Sequence, residues 1–311
     1  MNFCFASDGF AKFINIAPQK LLRADQPSPY ILQDSATNFT KHFPSLGFYV
    51  TPICLSGFTK ISDLGVVIEH LKLKKPNFGG CYIQTRVEYS DLVESSGSLD
   101  VNMILGHRTV LSVDLSITRQ KWFSIMKSDA KARFKKCEQH LAEGDLEVIW
   151  IDFGDVPSVG LIKRMHQLYM MKAKQLSFAS RYRFTFEQWQ HLLADDCWAS
   201  CLVMLGGFLI GFAVIGRAGD DYDYTFAVAE SYNHCDLSRV LLLSTFDQLS
   251  GPGVRAELCI GGGISEGDSL EQFKKRMGTK EKHYCNIKYV IPSIYEKTLS
   301  IVGDLKRNRW P

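Results

Sequence analysis

The feature that most constrains this chain is its longest apolar run, residues 201–215, which glycines at 206, 207 and 211 interrupt. A membrane-crossing helix needs about 20 apolar residues, and this run is shorter. Two apolar, β-branched segments around a Gly-Gly pair read instead as a hairpin. With the alternating stretch that follows, the sequence predicts three strands in meander order, at 199–205, 208–217 and 222–229. An antiparallel sheet with an apolar face has to be covered by helices or by another sheet.

The flanking sequence supplies the helices. Apolar spacing predicts helices at 61–73, from about 117 to 143, at 155–176, at 186–193 and at 237–249. Ser62 or Asp63 suits the first N-cap, Ser116 the second, and Asp236 or Ser238 the last. Further strands are expected at 30–32, 48–55, 81–89, 109–115, 146–151, 255–260 and 287–291. A turn is expected at 76–80 and a polar loop at 91–97. A short helix at 273–277 and a C-terminal helix at 292–302 complete the order. The fold class is α/β (α+β), with mixed sheets flanked by helices.

Composition sets the outer limits. The chain has 311 residues, 46% of them hydrophobic and 22% charged, with a net charge of +3. That is ordinary globular composition, so affinity for phosphate or nucleic acid has to come from a local patch. The nine cysteines are irregularly spaced and form no CxxC pair. They read as reduced structural thiols of a cytoplasmic protein. His234-Cys235 and His283-x-Cys285 lack the paired spacing of a zinc site, so no metal is expected. The first residues show no basic segment followed by an apolar core, hence no signal peptide is expected.

One stretch combines several chemical cues. Residues 257–278 read ELCIGGGISEGDSLEQFKKRMG. A buried strand runs into three glycines, an acidic turn follows, and Lys274, Lys275 and Arg276 come next. Glycines allow positive φ or close backbone approach, and the lysines suit an anionic ligand. A second basic segment lies at 127–136, with Lys127, Lys131, Arg133, Lys135 and Lys136.

The order of these segments, with LCIGGG followed by DSLEQFKK, resembles the FemABX-like branch of the GNAT acyltransferase superfamily. SVDLS at 112–116, MKSDAKARFKKCEQH at 126–140 and the strand–helix–strand at 226–263 carry the resemblance. It implies two tandem GNAT-like domains, a degenerate one at 1–115 and an acyltransferase domain at 116–311. It implies transfer of an acyl group to an amine, such as one on an amino sugar or a cell-envelope precursor in polysaccharide assembly. The donor is acyl-CoA or, alternatively, an aminoacyl-tRNA. The expected partners are therefore a small or a lipid- or nucleotide-linked amine acceptor and a possible tRNA, with no DNA and no membrane span.

The resemblance also assigns residues. Lys274 is expected to neutralise the ligand or the developing oxyanion. Arg133, Lys136, Lys275, Arg276, Tyr224 and Gly262 are expected to hold substrate or phosphate. Glu230, His234 and Asp236 are candidates for the base or for orienting the amine. Carbonyl polarisation is expected from a backbone N–H somewhere in 224–230. Residues 229–239 depart from the family pattern, because the loop that holds the CoA diphosphate in relatives is here free of glycine and carries Glu230 and Asp236. A third reading is therefore an inert, GNAT-derived binding module.

Overall fold

The computed structural model describes residues 10, 12, 21–24, 30–34, 47–50, 62–75, 77–88, 103–178, 182–263 and 267–291. In chain order the elements are β1 (Leu21–Ala24), β2 (Tyr30–Asp34), β3 (Gly47–Val50), α1 (Ser62–Lys74), β4 (Phe78–Glu88) and β5 (Met103–Asp114). Then come α2 (Arg119–Ile125), α3 (Ser128–Ala142), β6 (Glu147–Ile151), α4 (Val159–Gln175) and α5 (Phe186–Leu193). The meander β7 (Trp198–Leu205), β8 (Phe208–Ala218) and β9 (Asp221–Ala229) leads to α6 (Leu237–Leu249) and β10 (Glu257–Gly261). The last described elements are α7 (Ser269–Lys275) and β11 (Lys280–Val290). The C-terminal helix expected at 292–302 and the loop expected at 91–97 lie outside the described residues.

Two compact units share the chain, and they are interleaved. One takes in Thr109–Lys282 together with Met1–Asn15, and the other Ile16–Arg108 with His283–Pro311. The boundary expected at 115 falls just after β5, one of two strands that run from one unit into the other.

The smaller unit carries strands in the order β1-β2-β3-β4-β11, with β3 and β4 parallel and the other pairs antiparallel. Its core holds Ile68 and Leu71 of α1, Ile83 of β4 and Ile287 of β11. Phe78 stacks on Tyr289 at 6.1 Å. Thr85 Oγ1 donates to the Cys285 carbonyl at 3.1 Å. The strand begins at Phe78 instead of Cys81, so Gly79 and Gly80 lie in β4 and not in a turn.

The larger unit orders its strands β5-β10-β9-β8-β7-β6. All pairs are antiparallel except β9 and β10. Alternate residues of β8 serve opposite faces, as strand geometry requires. Ala213 and Ile215 join the core under α2, α3 and α6. Phe212 turns the other way and meets Trp189 of α5 at 5.6 Å. There Tyr169, Trp189 and Phe226 form an aromatic cluster with centroids 5.1 to 6.2 Å apart.

Helix boundaries follow capping chemistry more closely than apolar periodicity. Thr118 caps α2, and its hydroxyl accepts from Lys121 N. Ser116, the expected cap, instead donates its hydroxyl and its N–H to the Asp114 carboxylate. α4 starts at Val159 because Ser158 caps it after Pro157, four residues later than its periodicity suggests. α7 runs Ser269–Lys275 and not 273–277, because the Asp268 carboxylate accepts from Glu271 N. β11 is much longer than the expected 287–291. In α3, Ala130, Phe134 and Cys137 are buried at i, i+4, i+7 spacing, which leaves the lysines on the solvent face.

Trp122 anchors the α2 side. It is fully buried, stacks on Phe246 at 4.3 Å, and donates its indole N–H to the Met277 carbonyl at 2.7 Å. At the strand ends, Lys280 pairs with Asp114 at 2.8 Å and Lys282 with Glu257 at 2.8 Å. Burial alone raises the Asp114 pKa, but hydrogen bonds from Lys280 and Ser116 outweigh it and hold the carboxyl at about 2. A depressed carboxyl stabilises the fold above its unfolded pKa of ~3.9 and loses that contribution as pH falls through the folded value. Urea unfolding between pH 5 and pH 2 is expected to show about 2 kcal/mol more loss in the native chain than in Asp114→Asn. Equal losses would remove Asp114 from the acid sensitivity. Trp122→Phe, which orphans the Met277 carbonyl, is expected to cost roughly 1–3 kcal/mol.

Candidate functional site

The site is built where β9 and β10 part. These parallel neighbours pair only at Tyr222 with Leu258 and at Asp223 with Cys259. Beyond that point β9 stays with β8 as far as Ala229. Directly after the last parallel pair, β9 carries an extra residue, since Ile215 faces Tyr224 and Val214 faces Phe226. Thr225 is therefore a bulge, and bulges bend a strand and increase its twist. β10 is drawn the other way. It has its own register shift against β5 between Cys259 and Gly261, where Gly261 takes φ +69°. A Cβ on Gly262 would lie 2.3 Å from the Thr109 carbonyl oxygen, so that position needs glycine for close approach to β5.

The resulting gap exposes backbone. Glu230 N donates to Ile210 O at 2.9 Å, which identifies that pair as hydrogen-bonded. Bonded and non-bonded pairs alternate in an antiparallel ladder. Ala227 and Ala229, opposite Ala213 and Gly211, thus turn their N–H groups away from β8 and toward the space between β9 and β10. Among the described residues no strand pairs with them on that side. Ala227 is solvent-exposed although it lies in an interior strand.

At the end of β9 the chain meets α4 in an open cleft of about 680 Å³. Leu168 and Met171 supply an apolar wall, Lys172 and Lys174 add cations, and Ala229, Glu230 and Ser231 close the strand side. Lys172 and Lys174 were not singled out as ligand contacts in the sequence. Only their neighbourhood in the folded chain distinguishes them from other helix-surface lysines.

The residues expected at the site separate into two groups. Glu230, His234 and Asp236 occupy the loop between β9 and α6. Glu230 and His234 are exposed. Asp236 caps α6, accepting from Ser238 N at 3.0 Å, and pairs with Arg239. Its carboxylate therefore sits at the helix N-terminus, where an anionic ligand would otherwise bind. Arg133 and Lys136 lie exposed on the adjacent α3. Arg239 is buried, with its guanidinium 4.6 Å from the Phe273 ring centroid. Burial lowers its pKa, Asp236 opposes that, and the charge of Arg133 adds to it.

The second group surrounds α7, and most of its cations are paired. Lys274 Nζ donates to the carbonyls of Ile260 and Gly262, fastening the end of β10. Two of the three ammonium donors are thus engaged. Burial lowers the Lys274 pKa, with Cys259 and Asp268 opposing. Lys275 pairs with the buried Glu271 at 2.8 Å and with Glu281 at 2.9 Å. Arg276 pairs with Asp129 of α3 at 2.8 Å, and its carbonyl accepts from Lys127 N. The two basic segments meet directly in this way.

Tyr224 turns inward, and its hydroxyl is buried with no hydrogen-bond partner among the described residues. Burial raises its pKa well above the ordinary value, and Cys201 and Asp236 add to this. Burial pushes the Cys235 thiol up, with Asp236 and Asp145 adding to the rise and Cys137 and Lys136 opposing it.

Replacing Lys274 by Met keeps the stem and removes the ammonium from two carbonyls. Lys274→Met is expected to lower unfolding free energy by about 1–3 kcal/mol, measured by denaturant titration. An unchanged midpoint would show that the carbonyl contacts contribute nothing.

No protein-family model matches the chain, and no curated protein matches it in sequence. Solved structures do match its fold. FemX superposes with a TM-score of 0.65 at 9% identity, covering 94% of this chain and 93% of FemX. The C-terminal domain of a putative lysylphosphatidylglycerol synthetase from Agrobacterium fabrum gives 0.59 at 10% identity, covering 96% of this chain and 90% of that one. L-PGS from Bacillus licheniformis gives 0.59 at 9% identity, over 87% and 83% of the two chains. No helix among the described residues is long and apolar enough to cross a membrane. The chain shares the fold of FemX and of these lysylphosphatidylglycerol synthetase structures.

Proposed function

We propose that this chain is an N-acyltransferase that moves an acyl group from an ester or thioester donor to an amine. The observation that carries the reading is the parting of β9 from β10 after two residue pairs, beside the Thr225 bulge. It leaves N–H groups of a rigid strand aimed into a gap, the arrangement that stabilises a developing oxyanion without side-chain motion. The amine nitrogen bonds to the carbonyl carbon as the carbon–oxygen or carbon–sulfur bond breaks. The amine proton leaves to a base or to water, and the leaving group departs with the bonding pair. Glu230, at the mouth of the cleft, is the nearest of the candidate bases to Ala229 along the chain. The acceptor class suggested by the family resemblance is an amine of an amino sugar or a cell-envelope precursor.

Acyl-CoA is the first donor to test. An aminoacyl-tRNA is the second reading, and one observation favours it. The Asp236 carboxylate holds the N-terminus of α6, and the loop before it has no glycine, so a CoA diphosphate would meet negative charge there. Among the described residues, cations without an ion pair include Arg133 and Lys136 on α3 and Lys172 and Lys174 along the cleft. They suit a longer polyanion gripped outside that loop.

Calorimetric titration of the full chain with acetyl-CoA and with uncharged tRNA separates the two donors. Binding of CoA alone supports the first, and binding of tRNA alone the second. Binding of neither, with no transfer from acetyl-CoA or aminoacyl-tRNA to amino-sugar acceptors, would overturn the enzyme reading and leave an inert binding module. Ala227→Pro removes an N–H that faces away from β8 and so leaves that ladder intact. It is expected to retain the native circular dichroism spectrum and to lose about 10²-fold in kcat. Undiminished turnover would exclude that N–H as the carbonyl's donor.

A further inference from the structure

At the C-terminal end of α3, three metal-ligating side chains converge that the sequence does not pair in any familiar spacing. His140 Nδ1 lies 3.1 Å from the Asp145 carboxylate and 3.7 Å from that of Glu143. All three donor atoms lie within 4.8 Å of one another. A four-coordinate ion with bonds of about 2.0–2.1 Å keeps its donors about 3.3–3.4 Å apart, a value that lies between the two His140 separations of 3.1 and 3.7 Å.

Local structure explains the convergence. Glu143 is the C-cap of α3, one turn beyond His140. Gly144 then takes φ +79° with open space around its Cα. Glycine is needed there for its conformation and not for room, and the left-handed turn swings Asp145 back toward the helix end. Gln139 Nε2 donates to Glu143 Oε1 at 2.6 Å, holding one carboxylate oxygen while the other faces His140. Such orienting partners are characteristic of ligating carboxylates.

The candidate for a fourth donor lies on a different element. The ring of His234, in the loop between β9 and α6, lies 5.8 Å from that of His140 and 5.0 Å from that of Tyr232. His234 is exposed, so its side chain can rotate toward the cluster. Two imidazoles with two carboxylates suit a borderline transition ion, whereas Mg²⁺ and Ca²⁺ prefer oxygen donors throughout.

We propose that His140, Glu143 and Asp145 form a binding site for a divalent cation of the Zn²⁺ class, with His234 as the fourth donor. The bound ion ties the β9–α6 loop to α3. This site is independent of the transferase reading. It requires neither a donor nor an acceptor, and its ligands are read by metal binding alone.

The test is titration of the chelator-stripped full chain with Zn²⁺, alongside the visible spectrum of the Co²⁺ form. One equivalent is expected to bind saturably. Asp145→Asn and His140→Ala are each expected to weaken binding at least ~10-fold, and His234→Ala about 10-fold. The Co²⁺ form is expected to show four-coordinate d–d bands without a thiolate charge-transfer band. Absence of saturable 1:1 binding, affinity unchanged in both Asp145→Asn and His140→Ala, or a thiolate band would overturn the site. Unchanged affinity in His234→Ala would overturn the tie to the loop. Asp145 is exposed in a turn, so Asp145→Asn keeps the test decisive if His140→Ala does not fold.

Discussion

The structure of the larger unit depends on two parallel strands being pulled apart by their outer neighbours. β9 keeps its full antiparallel ladder to β8, with a bulge at Thr225, while β10 is held against β5. Three small features secure β10 there: the left-handed Gly261, the close approach of Gly262 to Thr109, and the Lys274 ammonium across two carbonyls. A continuous β9–β10 ladder would satisfy every strand N–H and leave none for a ligand. Ending it after Asp223 gives up those bonds and creates a polar cleft in an otherwise closed sheet.

Part of the charge in this unit is committed to structure. Arg119 bridges Glu138 and Asp247, Arg276 reaches Asp129, and Lys280 and Lys282 close on the carboxylates at the ends of β5 and β10. Glu271 is almost fully buried, yet it accepts from Gly267 N and pairs with Lys275, so its charge is compensated. These pairs connect α2 to α3 and α6, and α7 to α3 and β11. Among the described residues, cations without an ion pair include Arg133, Lys135 and Lys136 on the solvent face of α3 and Lys172 and Lys174 beside β9.

The loop between β9 and α6 commits its side chains to two neighbours. Asp236 spends its carboxylate on the helix N-terminus and on Arg239, and the exposed His234 turns toward His140. The loop therefore faces α3 as much as it faces the gap. A change in its position would alter both the cleft at Glu230 and the cap of α6.

Much of the fold was legible from residue order alone. Period-2 alternation and the Gly206-Gly207 turn located β7, β8 and β9, and periodicity located α5 and α6 to the residue. These signals are local, because side-chain alternation and capping act within one or two turns of chain. Boundaries set by a cap were less legible, since Ser116 and Thr118 are equally good caps until Asp114 claims one of them. The site was legible only as composition. Sequence determined that Lys274, Lys275 and Arg276 stand together and that three glycines precede them. Tertiary structure alone decided that these cations meet carbonyls and carboxylates and that Lys172 and Lys174 line the cleft. The reason is physical: a charge acts on whatever lies within a few ångströms, and that neighbourhood joins residues as distant in sequence as Arg276 and Asp129.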